Sequence, residues 1–327
     1  MPTRTELSPT LPTLDALRAA AAVVHAVLPP TPQHAWPLLV RRLGTEVWVK
    51  HENHGPVGAF KVRGGLVVMA ELAAAGVRRV VAATRGNHGQ SVAFAARCHG
   101  VEAVIVVPHG NSVEKNQAMV ALGATLVEHG HDFQAALEHA RELAASGDAV
   151  LFPSFSLDLV CGVASYALEL FDEVRRLDVV YVPVGLGSGL CGVIAARDAL
   201  GLPTEVVGVV AAGAPTYALS FEAGRPVPTE RAETVADGLA CRVPDPQALA
   251  VIRRGAARIV TVDDAAIEAA MRAYFTDTHN VAEGAGAAPL AAALSERQRL
   301  AGRRVGLVLT GGNVDRRTFA RVLAGGD

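Results

Sequence analysis

The sequence predicts an α/β fold with open, mainly parallel sheets that carry helices on both faces. Short β-branched runs alternate along the chain with alanine-rich stretches of helical length, which is typical of strand–helix–strand units with right-handed crossovers. Several runs are apolar at consecutive positions, as expected for strands covered on both faces. Gly76, Gly100 and Gly123 follow three of the helical stretches and suit a left-handed C-terminal cap.

The elements follow in order from this pattern. The predicted strands are Val47–Lys50, Arg79–Ala83, Ala103–Val107, Thr125–Glu128, Ala149–Phe152, Val179–Val184, Glu205–Val210, Arg258–Val262 and Val305–Leu309. The predicted helices between them include Gly65–Ala75, Gln90–Arg97, Val113–Leu122, Phe133–Ala145, Leu159–Val174 and Ala265–Thr276. A further helix, at about residues 14–27, precedes the proline-rich segment 28–32 and is separated by it from the rest of the chain.

Composition narrows the class of protein. The chain has 327 residues, half of them hydrophobic and 19% charged, with a net charge of −2. This charge provides no basic field for nucleic acid or for an anionic membrane, so we expect a small-molecule substrate. The four cysteines are far apart and the N-terminus lacks a signal-peptide pattern, so we expect a protein of the cytoplasm.

Lys61 is the first candidate catalytic residue. It directly follows Phe60 and lies just before a predicted helix. An amine held between an aromatic ring and a helix start is partly desolvated, which lowers its pKa and suits it to form a Schiff base with a carbonyl cofactor. Because most lysines are solvated charges, this interpretation depends on the other motifs of the chain.

A glycine-rich loop follows the predicted strand Val179–Val184. Its sequence is Gly185-Leu186-Gly187-Ser188-Gly189, and an apolar helical stretch comes next. Glycines let backbone N–H groups approach an anion closely, and a helix N-terminus adds a partial positive charge. The loop is therefore a candidate phosphate site, with the Ser188 hydroxyl as an additional donor.

Two alternatives remain for this loop. Residues 187–192 also fit the GxGxxG pattern of dinucleotide-binding proteins, with Glu205 in place of the acid that binds a ribose, which would indicate an NAD(P)-binding dehydrogenase. The loop could equally be a tight strand-to-helix turn without a ligand.

Polar residues also stand at the ends of two other predicted strands. Asn87 and His88 lie at the turn after Arg79–Ala83, and Thr310 follows Val305–Leu309. Ligands usually bind at the carboxyl ends of parallel strands, which makes these residues candidates for a binding site. The alternative for each is an ordinary capping or turn residue.

Five short motifs occur along the chain in a characteristic order. They are Gly58-Ala59-Phe60-Lys61-Val62-Arg63-Gly64, Thr84-Arg85-Gly86-Asn87-His88-Gly89-Gln90, Val184-Gly185-Leu186-Gly187-Ser188-Gly189-Leu190, Ala236-Asp237-Gly238 and Thr310-Gly311-Gly312-Asn313. In sequence and order they resemble the motifs of fold-type II pyridoxal-phosphate enzymes, in particular the serine/threonine dehydratase family. The resemblance extends from about Thr31 to Asn313.

The resemblance implies pyridoxal 5'-phosphate as cofactor, with Lys61 as its covalent attachment and as the base that removes the Cα proton. Phe60 would lean on the cofactor ring, Asn87 would contact the ring oxygen, and Gly238 would line the ring's edge. The phosphate would lie in the loop formed by Gly185, Leu186, Gly187, Ser188 and Gly189.

The resemblance also assigns residues to the substrate and to the reaction type. Thr84, Asn87 and His88 would bind the substrate carboxylate. Thr310 matches the position that hydrogen-bonds the pyridine nitrogen, where a hydroxyl in place of a carboxylate should leave that nitrogen largely unprotonated. The resulting weaker electron sink favours β-elimination over transamination.

Three further expectations come from the family. The chain should form two domains similar to those of the tryptophan synthase β subunit, a small one of residues 55–157 inserted in a larger one formed by residues 1–54 and 158–327. A homodimer is expected. The sequence stops soon after Asn313, so we expect no C-terminal regulatory domain.

The chain departs from the family pattern at two places. Arg85 occupies the position where relatives that racemise serine carry a serine; an arginine is a poor general base, so racemisation should be weak or absent. Arg85 could bind a second substrate carboxylate, or it could point away and pair with an acid. The segment Ala211–Pro215 lacks the acid that helps many relatives to bind a divalent cation, so we expect no metal site of that type.

We therefore predict a pyridoxal-phosphate-dependent ammonia-lyase that dehydrates and deaminates a 3-hydroxy-L-amino acid. L-Threonine or L-serine is the expected substrate, with 3-hydroxyaspartate and β-phenylserine as alternatives. No nucleic acid, membrane or metal partner is expected.

Overall fold

A computed structural model describes residues 10–325 of the chain, and the predictions made for residues 1–9 and 326–327 lie outside the described residues. The strands are β1 (Gln33–His34), β2 (Val47–His51), β3 (Arg79–Ala83), β4 (Glu102–Val107), β5 (Thr125–Glu128), β6 (Ala149–Leu151), β7 (Val179–Pro183), β8 (Glu205–Ala211), β9 (Arg258–Val262) and β10 (Val305–Leu309). The helices are α1 (Leu14–His25), α2 (Pro37–Leu43), α3 (Lys61–Ala74), α4 (Asn87–His99), α5 (Val113–Ala121), α6 (Phe133–Ala145), α7 (Leu157–Glu173), α8 (Ser188–Ala199), α9 (Thr216–Ala223), α10 (Pro246–Gly255), α11 (Asp264–Thr278), α12 (Gly284–Ser295) and α13 (Arg316–Ala324). Within this span, no helix combines the length and apolarity needed to cross a bilayer.

The strands form two sheets. The larger sheet has the order β1-β2-β10-β7-β8-β9, and only its edge pair β1–β2 is antiparallel. The smaller sheet has the order β5-β4-β3-β6 and is wholly parallel. The prediction of mainly parallel sheets is confirmed.

Helices cover both faces of each sheet. One core of the larger sheet lies under α1, α7, α8 and α10, and the other under α2, α11 and α12. In the smaller sheet, α3 and α4 pack on one face and α6 on the other. This layering explains why so many of the strands are apolar at consecutive positions.

The strands predicted from the sequence agree with nine of the ten observed strands to within two residues at each end, and the two-residue β1 was missed.

The start of α3 was predicted at Gly65, whereas the helix begins at Lys61. The consecutive glycines Gly64 and Gly65 disfavour a helix locally, but tertiary packing overrides that preference. A Cβ on Gly64 would lie 2.7 Å from the carbonyl oxygen of Leu159 in α7, and one on Gly65 would collide with the Ser91 side chain of α4. The two glycines therefore let α3 pack closely against both helices.

A buried ion network fixes the first turn of α3. Arg63 is 1% exposed and donates hydrogen bonds to Glu52, at the end of β2, and to Glu169 of α7. Lys50, which is fully buried, pairs with Glu169 and donates to the Thr31 carbonyl at 2.6 Å. Two cations thus face two carboxylates, so the buried charges balance within the network.

The network also makes one contribution to stability depend on pH. Burial alone would raise the pKa of Glu169, but Arg63 and Lys50 hold it at about 2, below its ordinary value of 4.5. Because the pKa is lowered in the folded state, this stabilisation is present above about pH 4.5 and is lost as the pH falls towards 2.

We expect Arg63→Met to lower the free energy of unfolding by about 3–5 kcal/mol, because it leaves two buried carboxylates with Lys50 as their remaining cation. The control is Arg79→Met, since Arg79 and its partner Glu102 are 50% and 66% exposed, and its loss should stay below about 1 kcal/mol. Urea unfolding of the full chain measures both values. Equal losses in the two variants would contradict the role given to the network.

Candidate functional site

Lys61 opens α3 and lies beside an aromatic ring. Its Nζ is 4.7 Å from the centroid of the Phe60 ring, and it makes no hydrogen bond or ion pair with any residue between 10 and 325. Burial lowers the pKa of the Lys61 amine, and the nearby Glu283 carboxylate partly opposes that effect. A desolvated amine without a fixed partner is suited to nucleophilic and basic chemistry.

The lysine loop is joined to the segment that follows β10. Phe60 N–H donates to the Thr310 carbonyl at 3.0 Å, and Ala59 forms an isolated antiparallel bridge with Gly311. Gly58 has a positive φ of 63°, and a Cβ there would lie 2.7 Å from the Asn313 side-chain oxygen. A left-handed backbone and close approach therefore both require glycine at this position.

Thr310 lies at the carboxyl end of β10, as predicted. It is buried, at 2% exposure, and its carbonyl is the one that binds Phe60 N–H. Its hydroxyl has no hydrogen-bond partner within the described part of the chain, so it remains available to a ligand.

Asn87 belongs to a chain of side-chain hydrogen bonds. Its amide donates to Glu283 at 2.8 Å and its oxygen accepts from Asn313 at 2.8 Å. The Asn313 amide also donates to the Val57 carbonyl at 2.8 Å. Burial raises the pKa of Glu283, and Lys115 and Lys61 oppose that rise. The first residue of α4 is thereby fixed against the lysine loop and against the N-terminal end of α12.

The glycine loop adopts the geometry of an anion site. Gly187 has a φ of 102° and caps α8, and a Cβ on Gly185 would collide with the carbonyl oxygen of Gly238. The amide N–H groups of residues 185–190 donate to no acceptor in the part of the chain that the structure covers. Free amides at a helix N-terminus favour an anion such as a phosphate.

Four of the five predicted motifs come together around Phe60. A Cβ on Gly189 would lie 3.5 Å from the Phe60 ring, so the glycine loop reaches the neighbour of Lys61 directly. Thr310 contacts the Phe60 backbone, and Gly238 contacts Gly185. The structure therefore groups Lys61, Phe60, Thr310, Gly238 and the loop 185–189 at one place.

The remaining predicted residues, Thr84, Arg85 and His88, lie at the turn before α4 and in its first turn. The Thr84 hydroxyl accepts from the N–H groups of Gly86 and Gly89, at 3.1 and 3.2 Å, so it organises the turn. His88 Nε2 is buried without a partner among residues 10–325, and burial lowers the pKa of His88 to about 3. The imidazole is therefore neutral near pH 7 and can gain a hydrogen bond from a bound molecule.

Arg85 is exposed and pairs with no acid in the described residues. Of the two alternatives for its side chain, pairing with an acid is not seen among residues 10–325. Within the described residues, no hydrogen bond or ion pair joins the guanidinium to the grouped residues.

Three residues of the site had no role assigned from the sequence, although Asn313 stands in the motif of Thr310. Glu283, Asn313 and Lys115 line one cavity of about 230 Å³ together with Asp237 and Gly238. Lys115 Nζ lies 2.8 Å from Asp237, which links α5 to the segment before α10. One available signal was the single carboxylate, Glu283, in the otherwise uncharged segment 280–295.

The structure does not favour the dinucleotide alternative, because Glu205 does not lie near the glycine loop. Glu205 is the first residue of β8 and pairs with Val179, the first residue of β7. The glycine loop follows the carboxyl end of β7, whereas the Glu205 carboxylate lies beside its N-terminal end. The loop and the carboxylate are therefore at opposite ends of the strands. Glu205 instead forms ion pairs with Arg258 and Arg303, each at 2.9 Å.

Comparison with known proteins gives a consistent result. A family model described as "Pyridoxal-phosphate dependent enzyme" matches residues 25–311. The chain is 31% identical over 313 residues to an L-threonine ammonia-lyase of Thermotoga maritima, and the alignment covers 95% of this chain and 78% of the relative. It is 30% identical over 317 residues to an L-threo-3-hydroxyaspartate ammonia-lyase of Saccharomyces cerevisiae, and this alignment covers 96% of this chain and 97% of the relative.

Solved structures show the same fold. The processed form of threonine deaminase isoform 2 from Solanum lycopersicum superposes with a TM-score of 0.89 at 28% identity, covering 97% of this chain and 96% of that one. A maize serine racemase superposes with a TM-score of 0.90 at 27% identity, covering 95% and 97%.

We expect Glu283→Gln to shift the titration of the Lys61 amine to lower pH, because the substitution removes the negative charge that favours the ammonium form. Labelling of Lys61 by acetic anhydride as a function of pH, read by mass spectrometry, gives this midpoint without any cofactor. Glu102→Gln is the control and should leave the midpoint in place. A midpoint that stays unchanged or rises in Glu283→Gln would show that Lys61 does not respond to this charge.

Proposed function

The chain belongs to the pyridoxal-phosphate dependent enzyme family, and we propose that it dehydrates and deaminates a 3-hydroxy-L-amino acid, in the first place L-threonine or L-serine, to a 2-oxo acid and ammonia. The observation that carries the proposal is the grouping, around Phe60, of the half-buried Lys61 amine with a loop of free amides and with Thr310. The relatives named as L-threonine and L-threo-3-hydroxyaspartate ammonia-lyases support the reaction class.

The residues present fit pyridoxal 5'-phosphate. The free amides of residues 185–190 would hold its phosphate, and Lys61 would bind its carbonyl carbon. Thr310, with an unpartnered hydroxyl, would contact the ring nitrogen, and Asn87 the ring oxygen. When bound, the cofactor supplies the electron sink that stabilises a carbanion at the substrate Cα.

The protein's own groups then account for the proton transfers and for orientation. The turn formed by Thr84, Asn87 and His88 begins α4, and its helix N-terminus favours the substrate carboxylate. The Lys61 amine, with its lowered pKa, removes the Cα proton. The bond from Cβ to the hydroxyl breaks, and the hydroxyl takes up one proton, so that in balance the Cα proton and the hydroxyl leave as water. The released enamine isomerises to an imine, which one water hydrolyses to the 2-oxo acid and ammonia.

An acidic substrate, 3-hydroxyaspartate, is the second candidate. Arg85 is exposed and unpaired among the described residues, and it lies directly beside the turn that would bind the first carboxylate. A guanidinium binds a carboxylate through two parallel hydrogen bonds. Arg85 would thus recognise the second carboxylate of such a substrate.

We further propose that the chain folds into two domains, forms a homodimer and acts in the cytoplasm. The division at residues 55 and 157 is supported by the sheets, because all four strands of the smaller sheet lie inside this range and all six of the larger sheet lie outside it.

The absorption spectrum of the purified chain with pyridoxal 5'-phosphate, before and after addition of L-threonine, tests the proposal first. A near-visible band that shifts on addition would support both cofactor attachment and amino-acid binding. A chain that stays colourless with the cofactor would overturn the proposed function.

Lys61→Ala should abolish covalent attachment of the cofactor and lower kcat at least about 10²–10⁴-fold, because a general base alone contributes that factor. Mass spectrometry after borohydride reduction measures attachment, and release of the 2-oxo acid measures turnover. The control is Lys115→Ala, which should keep the attachment. Turnover by Lys61→Ala close to that of the unmodified chain would contradict the assignment of Lys61.

Arg85→Ser should reduce kcat/KM for 3-hydroxyaspartate by about tenfold or more while changing that for threonine little, because one charge-assisted hydrogen-bonded contact is worth about 1.5–3 kcal/mol. Parallel kinetics on the two substrates give the ratio. Equal losses on both would indicate a structural role for Arg85 and remove the acidic substrate from consideration.

A further inference from the structure

Two buried tyrosines bind the backbone of the glycine loop from outside. Tyr166 of α7 donates its hydroxyl to the Gly189 carbonyl at 3.0 Å. Tyr217 of α9 donates to the Leu186 carbonyl at 2.8 Å and accepts from Asp245 N–H at 3.1 Å. Neither tyrosine belongs to a motif that the sequence singled out.

These contacts determine where the loop's donors point. A trans peptide unit is planar, and its C=O and N–H groups point in opposite directions. Fixing the Leu186 carbonyl therefore fixes the N–H of Gly187, and fixing the Gly189 carbonyl fixes the N–H of Leu190. Both N–H groups are among the amides of residues 185–190 that donate to no acceptor in the described chain.

The tyrosines remain hydrogen-bond donors over the whole working range of pH. Tyr166 is fully buried and Tyr217 is 1% exposed, and burial raises the pKa of both phenols well above 10. Each hydroxyl therefore stays neutral and keeps its proton for the carbonyl.

Tyr166 also connects the loop to the lysine. Its ring lies edge-on to the Phe60 ring, with centroids 6.1 Å apart and planes at 87°. Phe60 in turn lies 4.7 Å from Lys61 Nζ. One side chain thus contacts the loop proposed for the phosphate and the neighbour of the proposed attachment point.

We propose that Tyr166 and Tyr217 are positioning residues that aim the amides of the glycine loop at the phosphate of the cofactor. This inference rests on the proposed function, since it takes pyridoxal 5'-phosphate as the ligand of the loop.

The test compares two forms of the ligand on the full-length, cofactor-free chain. Tyr166→Phe should raise the dissociation constant of pyridoxal 5'-phosphate by about three- to tenfold, the effect of losing one buried hydrogen bond. The dissociation constant of pyridoxal, which lacks the phosphate, should not change. Absorption titrations measure both, and thermal unfolding without ligand reports whether each variant is folded.

Two other variants complete the test. Tyr217→Phe should weaken pyridoxal 5'-phosphate binding in the same selective way and should also lower the melting temperature, because it leaves Asp245 N–H without its acceptor. Tyr274→Phe is the matched control: Tyr274 is equally buried, its hydroxyl has no partner among residues 10–325, and it packs in the other core of the larger sheet. This variant should bind both ligands as the unmodified chain does.

The outcomes separate the two claims. A selective loss for the phosphorylated ligand in both tyrosine variants supports the positioning role. An unchanged dissociation constant, or an equal loss for both ligands, overturns it while leaving the proposed function intact. An unmodified chain that binds neither ligand overturns the proposed function and this inference together.

Discussion

The structure depends on the buried pairing of Arg63 with Glu52 and Glu169. Arg63 stands two residues after Lys61, on the first turn of α3, and its guanidinium reaches the end of β2 and the middle of α7. A buried cation can stay only where carboxylates compensate it. The position of Arg63, and with it the start of α3, is therefore set by the two elements that carry Glu52 and Glu169. The position of Lys61 is fixed with it, since the start of a helix cannot shift without moving its third residue.

Much of the fold could be predicted from the sequence because its strands carry a strong local signal. Buried parallel strands are short β-branched runs, and the predicted bounds of β3, β5, β9 and β10 coincide with the observed ones. The start of α3 was misplaced because the Gly64–Gly65 pair is unfavourable in a helix alone and is used for packing against α7 and α4. Local propensity contains no information about that packing.

The same limit applies to the site. Lys61, Asn87, Thr310 and the glycine loop lie at strand ends or helix starts, where a pattern along the chain can identify them. Glu283 could not be assigned from the sequence. It lies near Asn87 and Lys61 only because α12, which packs on the larger sheet, approaches α4, which packs on the smaller one. Tyr166 and Tyr217 look like core residues in the sequence, and only their hydrogen bonds to the loop distinguish them. The register of β8 against β7 places Glu205 away from the glycine loop, and the spacing of the residues along the chain could not show this.

The contact between Gly185 and Gly238 constrains how this sequence can diverge. A side chain on Gly185 would occupy the space of the Gly238 carbonyl, and a side chain on Gly238 would approach the Cβ of Ala285 at 2.9 Å. Gly185 can therefore accept a side chain only if the segment of Gly238 retreats, and that retreat is limited by α12. Substitutions in these two distant segments are coupled, so drift at either one alone is expected to be slow. Gly185 should consequently persist as descendants of this chain accumulate mutations, unless the segment 236–238 shifts with it.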